Sequence, residues 1–589
     1  MLRTLGFAAL ILAPLGLLAD PHAAFYGDWN THLWVIGYYG EYFREHGHMP
    51  AALNSVSAIG VPLPIFYGAL LYPGLGFLSS ALGAALALRT GIVLLVSFQA
   101  CALGCAGRSA FRDRTLAYAV AAAVIWSTYS LTNLYNRSAV AEFFGTGFMV
   151  SAIAFAIAAA GEYRRRRRRI CAWLAAASAV LTLGSHPPTA LLALPALAAL
   201  SLILGAVLIR TRAGQARAAD IFSLAPLALG AAILSPCACA YLELGAKLRI
   251  VEEFKGLVFF RDRCDSFLGR FSPFPYDLLS LRRGTDGVST PYLEAPIIGA
   301  LCLILLLNLE LWRRGRLEPP AAAASLWDSA ARAALIAALA GFVFFTALSL
   351  SYPLARHFRF LGPYVQFAYR LVAHANAALL VAVFASGALA AQKSSFLRYE
   401  REMQIGAAVA LTLAAVGLGV KLTHAAAVMT ESAPAEFDIS GCKSRLLTSD
   451  FSQLAREYST PAQMRELDRQ ENAAAVAVAL PVSAERGKFG LVGPVTVELP
   501  AEAWAVTNVV NFPWNGLSLG GRQVSGSSLA RKGEFLAVFL PKGRSTLQWA
   551  WRPVPLWIGL HRLAAAASVL FVLASGWTAR ARRHESGRL

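Results

Sequence analysis

The sequence predicts a polytopic α-helical membrane protein of about twelve spans, with a small outward β-sandwich-like domain inserted before the last span. Three observations carry this. Of the 589 residues, 57% are hydrophobic and only 15% are charged, too few charges for a soluble chain of that length. The apolar residues come in blocks of about 17–25, the length that crosses a bilayer core as a helix, and a helix bonds its backbone groups within its own segment. The basic residues gather in every second loop between the blocks.

The blocks run approximately over 4–19, 82–104, 115–133, 139–160, 170–185, 188–209, 220–240, 294–312, 331–350, 371–391, 404–424 and 556–577. Arg108, Arg112 and Arg114 follow the second block, Arg164 to Arg169 the fourth, and Arg210, Arg212 and Arg217 the sixth. Arg313, Arg314 and Arg316 follow the eighth, Lys393, Arg398 and Arg401 the tenth, and Arg580, Arg582 and Arg583 the twelfth. Basic loops stay in the cytoplasm, so both termini are expected there, in a bacterial inner membrane. Arg3 and the short apolar stretch after it also read as a signal peptide, cut near Ala19 or Ala24. An uncleaved first helix agrees better with the even count. The formal net charge of +19 sits mostly in these loops, which points to anionic lipid headgroups rather than nucleic acid.

The expected organisation is a transmembrane part over 1–424, with outward loops 20–81 and 241–293, then an outward α+β or β-sandwich domain over 425–555. The last helix and a basic tail fill 556–589. In loop 20–81, residues 29–46 suit an amphipathic helix lying in the interface, and the prolines and glycines of 60–67 suit a re-entrant segment. In the outward domain, Val495, Val497 and Leu499 alternate with polar residues. Phe535, Ala537 and Phe539 recur with the same period, as do Leu547, Trp549 and Trp551, which predicts half-buried strands. Gly520-Gly521 and Lys542-Gly543 supply turns, and 446–475 is helical in composition. The eight cysteines lack zinc spacing, and Cys264 and Cys442 fall in outward segments where a disulfide is allowed. No P-loop, dinucleotide fingerprint, HExxH or serine elbow occurs, which argues against ATP-driven work in this chain.

Ionisable residues at membrane boundaries are costly to desolvate, so they face water, protein or a ligand. Asp28, with His32 one helical turn on, is either a general base or the cap of the helix that follows. Arg137 and Glu142 are either a salt bridge closing a helix end or a phosphate ligand held by a carboxylate. His186 marks an outer helix boundary and reads as structural or functional. Arg370 either snorkels or meets a phosphate at headgroup depth.

Gly27-Asp28-Trp29-Asn30-Thr31-His32 resembles the acidic first-loop motif of the C-type (GT-C) glycosyltransferases, and more narrowly their YfhO-like branch. Databases label related membrane proteins after pyruvoyl-tetrahydropterin synthase. Leu134 to Glu142 is similar to the branch's arginine–glutamate element, and Ser185-His186-Pro187 to its helix-end histidine. Val365-Gln366-Phe367-Ala368-Tyr369-Arg370 resembles its QFPxR element, with Ala368 in place of proline. Phe512-Pro513-Trp514-Asn515-Gly516, Gly520-Gly521-Arg522, Leu540-Pro541-Lys542-Gly543 and Leu547-Gln548-Trp549 resemble its C-terminal β-domain.

The resemblance implies a GT-C-like transmembrane fold and transfer of a sugar from a polyprenyl-phosphate-linked donor to a glycan or lipid acceptor. It implies catalytic roles for Asp28, His32 and Glu142, and donor-phosphate binding by Arg137, His186, Arg370 and Gln366. Asn30 stands where a second acid occurs in many GT-C enzymes, so a divalent metal, Mg or Mn, is left open and no metal ligands are assigned. Rival readings are a lipid or polysaccharide transporter, and a non-catalytic scaffold of an envelope machine. The sugar, the acceptor and the oligomeric state are not fixed by the sequence.

Overall fold

The computed structural model describes residues 2–19, 28–111, 114–162, 165–193, 224–254, 322–358, 365 and 367–391. Beyond these it describes scattered positions between 405 and 423, then 443–448, 451–460, 464–467 and 475–586. Among the described residues, six helices are long and apolar enough to cross a membrane: Ala84–Phe111, Val140–Gly161, Ala225–Lys247, Ala331–Leu350, Ala368–Ala390 and Pro555–Ala574. A bent pair, Thr115–Ile125 with Tyr129–Tyr135, makes a seventh if counted as one span. The expected block at 170–185 is helical, within Arg165–Ser185, but opens on a run of arginines. The blocks at 294–312, most of 188–209 and most of 404–424 lie outside the described residues, as do Cys264 and Cys442.

The chain forms two compact units, both discontinuous in sequence. The first combines 1–30, 89–228 and 257–437; the second combines 31–88, 229–256 and 438–589.

In the first unit, the helices Val140–Gly161 and Arg165–Ser185 pack along each other, as do Ala322–Leu350 and Leu371–Ala391. Glycine lets the helix Ala84–Phe111 approach its neighbours Arg114–Ile125 and Leu371–Ala391 closely. A Cβ on Gly107 would lie 2.3 Å from the Ala117 Cβ, and one on Gly387 would lie 2.1 Å from the Phe111 ring. The first apolar segment is only Leu5–Leu18 long, and polar side chains pin its carbonyls. Trp126 Nε1 donates to the Ile11 carbonyl at 3.1 Å, the Tyr135 hydroxyl to that of Pro14 at 2.6 Å, and Arg89 Nε to that of Leu18 at 2.9 Å.

The second unit holds two four-stranded sheets. β1 (Ala475–Val478), β3 (Ala503–Val510), β7 (Phe535–Leu540) and β6 (Leu529–Lys532) form one, in the order β1-β3-β7-β6. β2 (Val495–Leu499), β8 (Gly543–Trp551), β4 (Asn515–Leu519) and β5 (Arg522–Gln523) form the other, in the order β2-β8-β4-β5. Leu499, Leu517 and Leu547 of one sheet share a core with Val478, Ala505, Leu536, Val538 and Leu540 of the other, which is the expected sandwich. Gly520 and Gly521, at φ +54° and +81°, make the two-residue turn between β4 and β5.

The parity read for β7 is corrected. Leu536, Val538 and Leu540 face the sandwich core, while Ala537 and Phe539 join a separate cluster with Leu467 and Trp504. A central strand covered on both faces is apolar throughout, so alternation cannot assign its faces.

The loop that the sequence placed in the interface is instead part of this unit. In the helix Trp29–His46, Val35, Ile36, Tyr38 and Tyr39 are all buried. It meets the helix Leu71–Leu82 at Gly40 and Gly76, whose added Cβ atoms would lie 2.6 Å from Ser79 Oγ and 2.4 Å from Tyr39 Cβ. Ile59 pairs in parallel with Val509 of β3 and enters the sandwich core. Asn54 staples the segment: its amide donates to the Gly490 carbonyl at 2.9 Å, and its side-chain oxygen accepts from the Gly60 N–H at 2.9 Å. In place of a re-entrant segment, 60–67 holds the short helix Leu63–Phe66. Phe66 is packed by Tyr241, Tyr458 and Phe512, and the Tyr241 hydroxyl donates to its carbonyl at 2.6 Å.

Candidate functional site

The first unit builds a charged cluster around a break in its helices. Thr115–Ile125 and Tyr129–Tyr135 diverge by 42° across residues 126–128. Thr132–Asn136 then widens into a π-turn, closed by the Arg137 N–H on the Thr132 carbonyl at 2.8 Å. Such turns interrupt regular helices, often at functional sites. Ser138 follows in the left-handed region, at φ +51°, and is fully buried. A non-glycine residue is held there only when its surroundings over-determine it. The reversal leads into the helix Val140–Gly161, whose first turn carries Glu142.

Glu142 is the centre. Its Oε1 accepts from the Tyr129 hydroxyl. Its Oε2 accepts from Arg370 Nε at 3.1 Å and from Arg137 Nη1 and Nη2, each at 3.4 Å. The Glu142 side chain is 1% exposed, those of Arg137 and Arg370 12% and 13%. Arg137 Nη1 also donates to Asn133 Oδ1 at 2.8 Å, and its guanidinium lies 4.5 Å over the Tyr369 ring. The Arg370 guanidinium lies 5.4 Å over Phe367, and the Phe367 and Tyr369 rings stack at 5.2 Å. Carboxylate, rings and amide fix both guanidiniums in nearly dry surroundings, where a charge-assisted bond is strong. Two cations meet one buried anion here, and Asp28, when ionised, offsets the remaining positive charge.

Asp28 joins it through the backbone, its N–H donating to the Arg137 carbonyl at 3.1 Å. Asp28 itself keeps an exposed surface. Burial of its carboxyl by the surrounding protein nevertheless raises the pKa above the ordinary 3.8. Arg137 and Arg370 pull it down and Glu142 adds to the rise.

His186 ends the helix Arg165–Ser185 and is buried. Its Nδ1 accepts from the Thr189 N–H at 3.3 Å and lies 2.7 Å from the Thr189 hydroxyl, which assigns the ring proton to Nε2. Burial pushes its pKa down to about 3, against the pull of Glu142. The histidine is therefore neutral. The helix Val140–Gly161 closes on it at Gly145, where an added Cβ would lie 2.6 Å from the His186 Cβ.

The site residues expected from the sequence thus divide. Asp28, Arg137, Glu142, His186 and Arg370 belong to one neighbourhood, coupled by hydrogen bonds or charge. His32 falls in the second unit, buried, with Nδ1 2.8 Å from the Tyr72 hydroxyl. Gln366 lies outside the described residues. Sequence reasoning missed Tyr129, Asn133 and Tyr369. The signal for Tyr129 was present, because Ser127-Thr128-Tyr129-Ser130 is a polar stretch inside a block read as one continuous span.

Among the described residues, no three His, Cys, Asp or Glu side chains gather so as to hold a metal ion.

No protein-family model matches the sequence, and comparison with curated proteins finds no match. Among solved structures, the chain is similar to the apo crystal structure of the Archaeoglobus fulgidus oligosaccharyltransferase. The TM-score is 0.32 and the identity 13%, over 78% of this chain and 62% of that one. The chain thus spans less than two thirds of that enzyme's length, and likeness at this level fixes neither fold nor activity.

Proposed function

We propose that the chain is an integral membrane glycosyltransferase. It moves a sugar from a polyprenyl-phosphate-linked donor to a glycan or lipid acceptor at the outward face of the membrane. One observation carries this reading: Arg137 and Arg370 are clamped on the buried Glu142, and the carboxylate-bearing Asp28 is hydrogen-bonded to Arg137. The donor phosphate meets the Arg137 and Arg370 guanidiniums, while its lipid tail stays in the bilayer. Asp28 removes the proton from the acceptor hydroxyl. The hydroxyl oxygen bonds to the anomeric carbon as the bond from that carbon to the phosphate oxygen breaks, with inversion. Arg137 and Arg370 stabilise the charge that develops on the leaving phosphate. Glu142, with both oxygens already accepting bonds, acts as a positioning residue. His186, buried and neutral, adds no charge to the cluster. No step is assigned to His32 or Gln366.

The test is transfer by the purified full chain. A panel of synthetic polyprenyl-phosphate sugars is presented with membrane-lipid acceptors, and products are read by mass spectrometry. Transfer by the wild type and its loss in Asp28→Asn support the reading. Tight donor binding without transfer from any donor would turn it toward a transporter or scaffold.

A further inference from the structure

A second site stands in the second unit, at the end of the helix Trp29–His46. His46 is the last residue of that helix. Gly47, at φ +70° and with its N–H on the Phe43 carbonyl at 2.8 Å, turns the chain back, and His48 follows. The reversal brings the two imidazole rings to 6.0 Å, centre to centre, and Tyr42 packs against both, at 4.3 and 5.6 Å. Two imidazoles that share one ion at about 2.0–2.1 Å have ring centres roughly 5–6.5 Å apart, from the tetrahedral to the trans arrangement. The observed spacing falls inside that range.

The protons of both neutral rings are accounted for. His46 Nε2 lies 2.8 Å from the Phe489 carbonyl, and a carbonyl only accepts, so Nε2 carries the proton and Nδ1 keeps its lone pair. His48 Nδ1 lies 3.1 Å from the Met49 carbonyl, which leaves the lone pair of that ring on Nε2. Neither lone pair has a partner among the described residues. An imidazole whose N–H is spent on a backbone carbonyl, with its other nitrogen free, is the form in which histidine ligates a metal. His48 is exposed, and exposed side chains change rotamer within ps–ns, so its free nitrogen can swing toward that of His46.

The neighbouring cations are compensated. Arg44 is turned to Glu41 and the Ser80 carbonyl, and Lys443 to Glu41 and Glu45. Arg486 and Lys488 are exposed, where solvent and salt screen them. The carbonyl end of an 18-residue helix adds a negative potential. We propose that His46 and His48 bind a divalent first-row ion of the imidazole-preferring kind, copper above nickel and zinc, with water in the open positions. Two protein ligands make an exchangeable site rather than a closed structural one. Mg and Ca, which take oxygen ligands, are not held there. The inference concerns the second unit and holds whether or not the chain transfers sugar.

The experiment is titration of the full chain, purified without a polyhistidine tag, with Cu²⁺ alone, followed by pulsed EPR of the bound ion. Expected is saturable binding with two imidazole nitrogens coupled to the copper, undisturbed by an excess of Mg²⁺. His46→Ala and His48→Ala should each weaken binding by about tenfold or more and leave one coupled imidazole. His561→Ala, which removes an exposed histidine of the last helix, should change neither readout. His46→Gln, which keeps a donor for the Phe489 carbonyl, stands in if His46→Ala does not fold. No saturable binding, displacement by Mg²⁺, or full affinity in the His46 and His48 variants would each overturn the proposal. Sugar transfer has no part in these readouts, so the transferase reading stands or falls separately.

Discussion

The Asp28 N–H donates to the Arg137 carbonyl at 3.1 Å, although 109 positions separate the two residues (137 less 28). That bond ties the first-loop carboxylate to the residue whose guanidinium grips Glu142. Asp28→Asn keeps the backbone and removes only the base. Transfer is expected to fall by about 10²–10⁴-fold with membrane insertion intact. Full activity in this variant removes Asp28 from the mechanism.

The acid limb of the pH–rate profile tests the same carboxyl. Burial raises its pKa above 3.8, so the base form is lost at a higher pH than for a free aspartate. Activity should drop as pH falls through that raised value. Stability runs the other way: the folded state prefers the protonated acid, so its contribution is full below 3.8 and fades as pH rises through the folded pKa. Asn at position 28 should flatten that stability slope, read by thermal melts across pH.

Removing Glu142 strands two guanidiniums. Glu142→Gln is expected to cost about 3–5 kcal/mol, measured by denaturation in micelles. Arg137→Ala or Arg370→Ala should weaken binding of a polyprenyl-phosphate donor by about tenfold or more, because each loses a charge-assisted contact. The arginine and glutamate substitutions should be strongly non-additive in a double-mutant cycle. Unchanged donor affinity in both arginine variants counts against the phosphate assignment.

The second unit offers a test remote from the cluster. Asn54→Ala removes bonds to Gly490 and Gly60 and should destabilise that unit by about 1–3 kcal/mol. Greater protease sensitivity of the strand region, with the 140–161 segment unaffected, is the expected readout.

A reporter fused after Leu589 should read as cytoplasmic, given the basic Arg580, Arg582 and Arg583 next to the last apolar helix. A signal from the opposite side overturns the alternation of loops.

What the sequence made legible follows from local physics. Blocks at 82–104, 139–160, 220–240, 331–350, 371–391 and 556–577 appear as long apolar helices, because the solvation of a span depends on its own residues. The strands of the sandwich announced themselves by period, and Asp28, Arg137 and Arg370 by being ionisable at apolar boundaries. Tertiary structure decided the rest. Glu142 takes a bond from Arg370, 228 positions away, and Ile59 pairs with Val509 in the core of the distant sandwich. Composition could not reveal that the helix Trp29–His46 is buried, since its mixed aromatic and charged faces fit a membrane interface equally well. Nor could it show that Tyr129 turns toward the Glu142 carboxylate. A sequence specifies which groups are costly to bury; only the folded chain supplies the partner that offsets the cost.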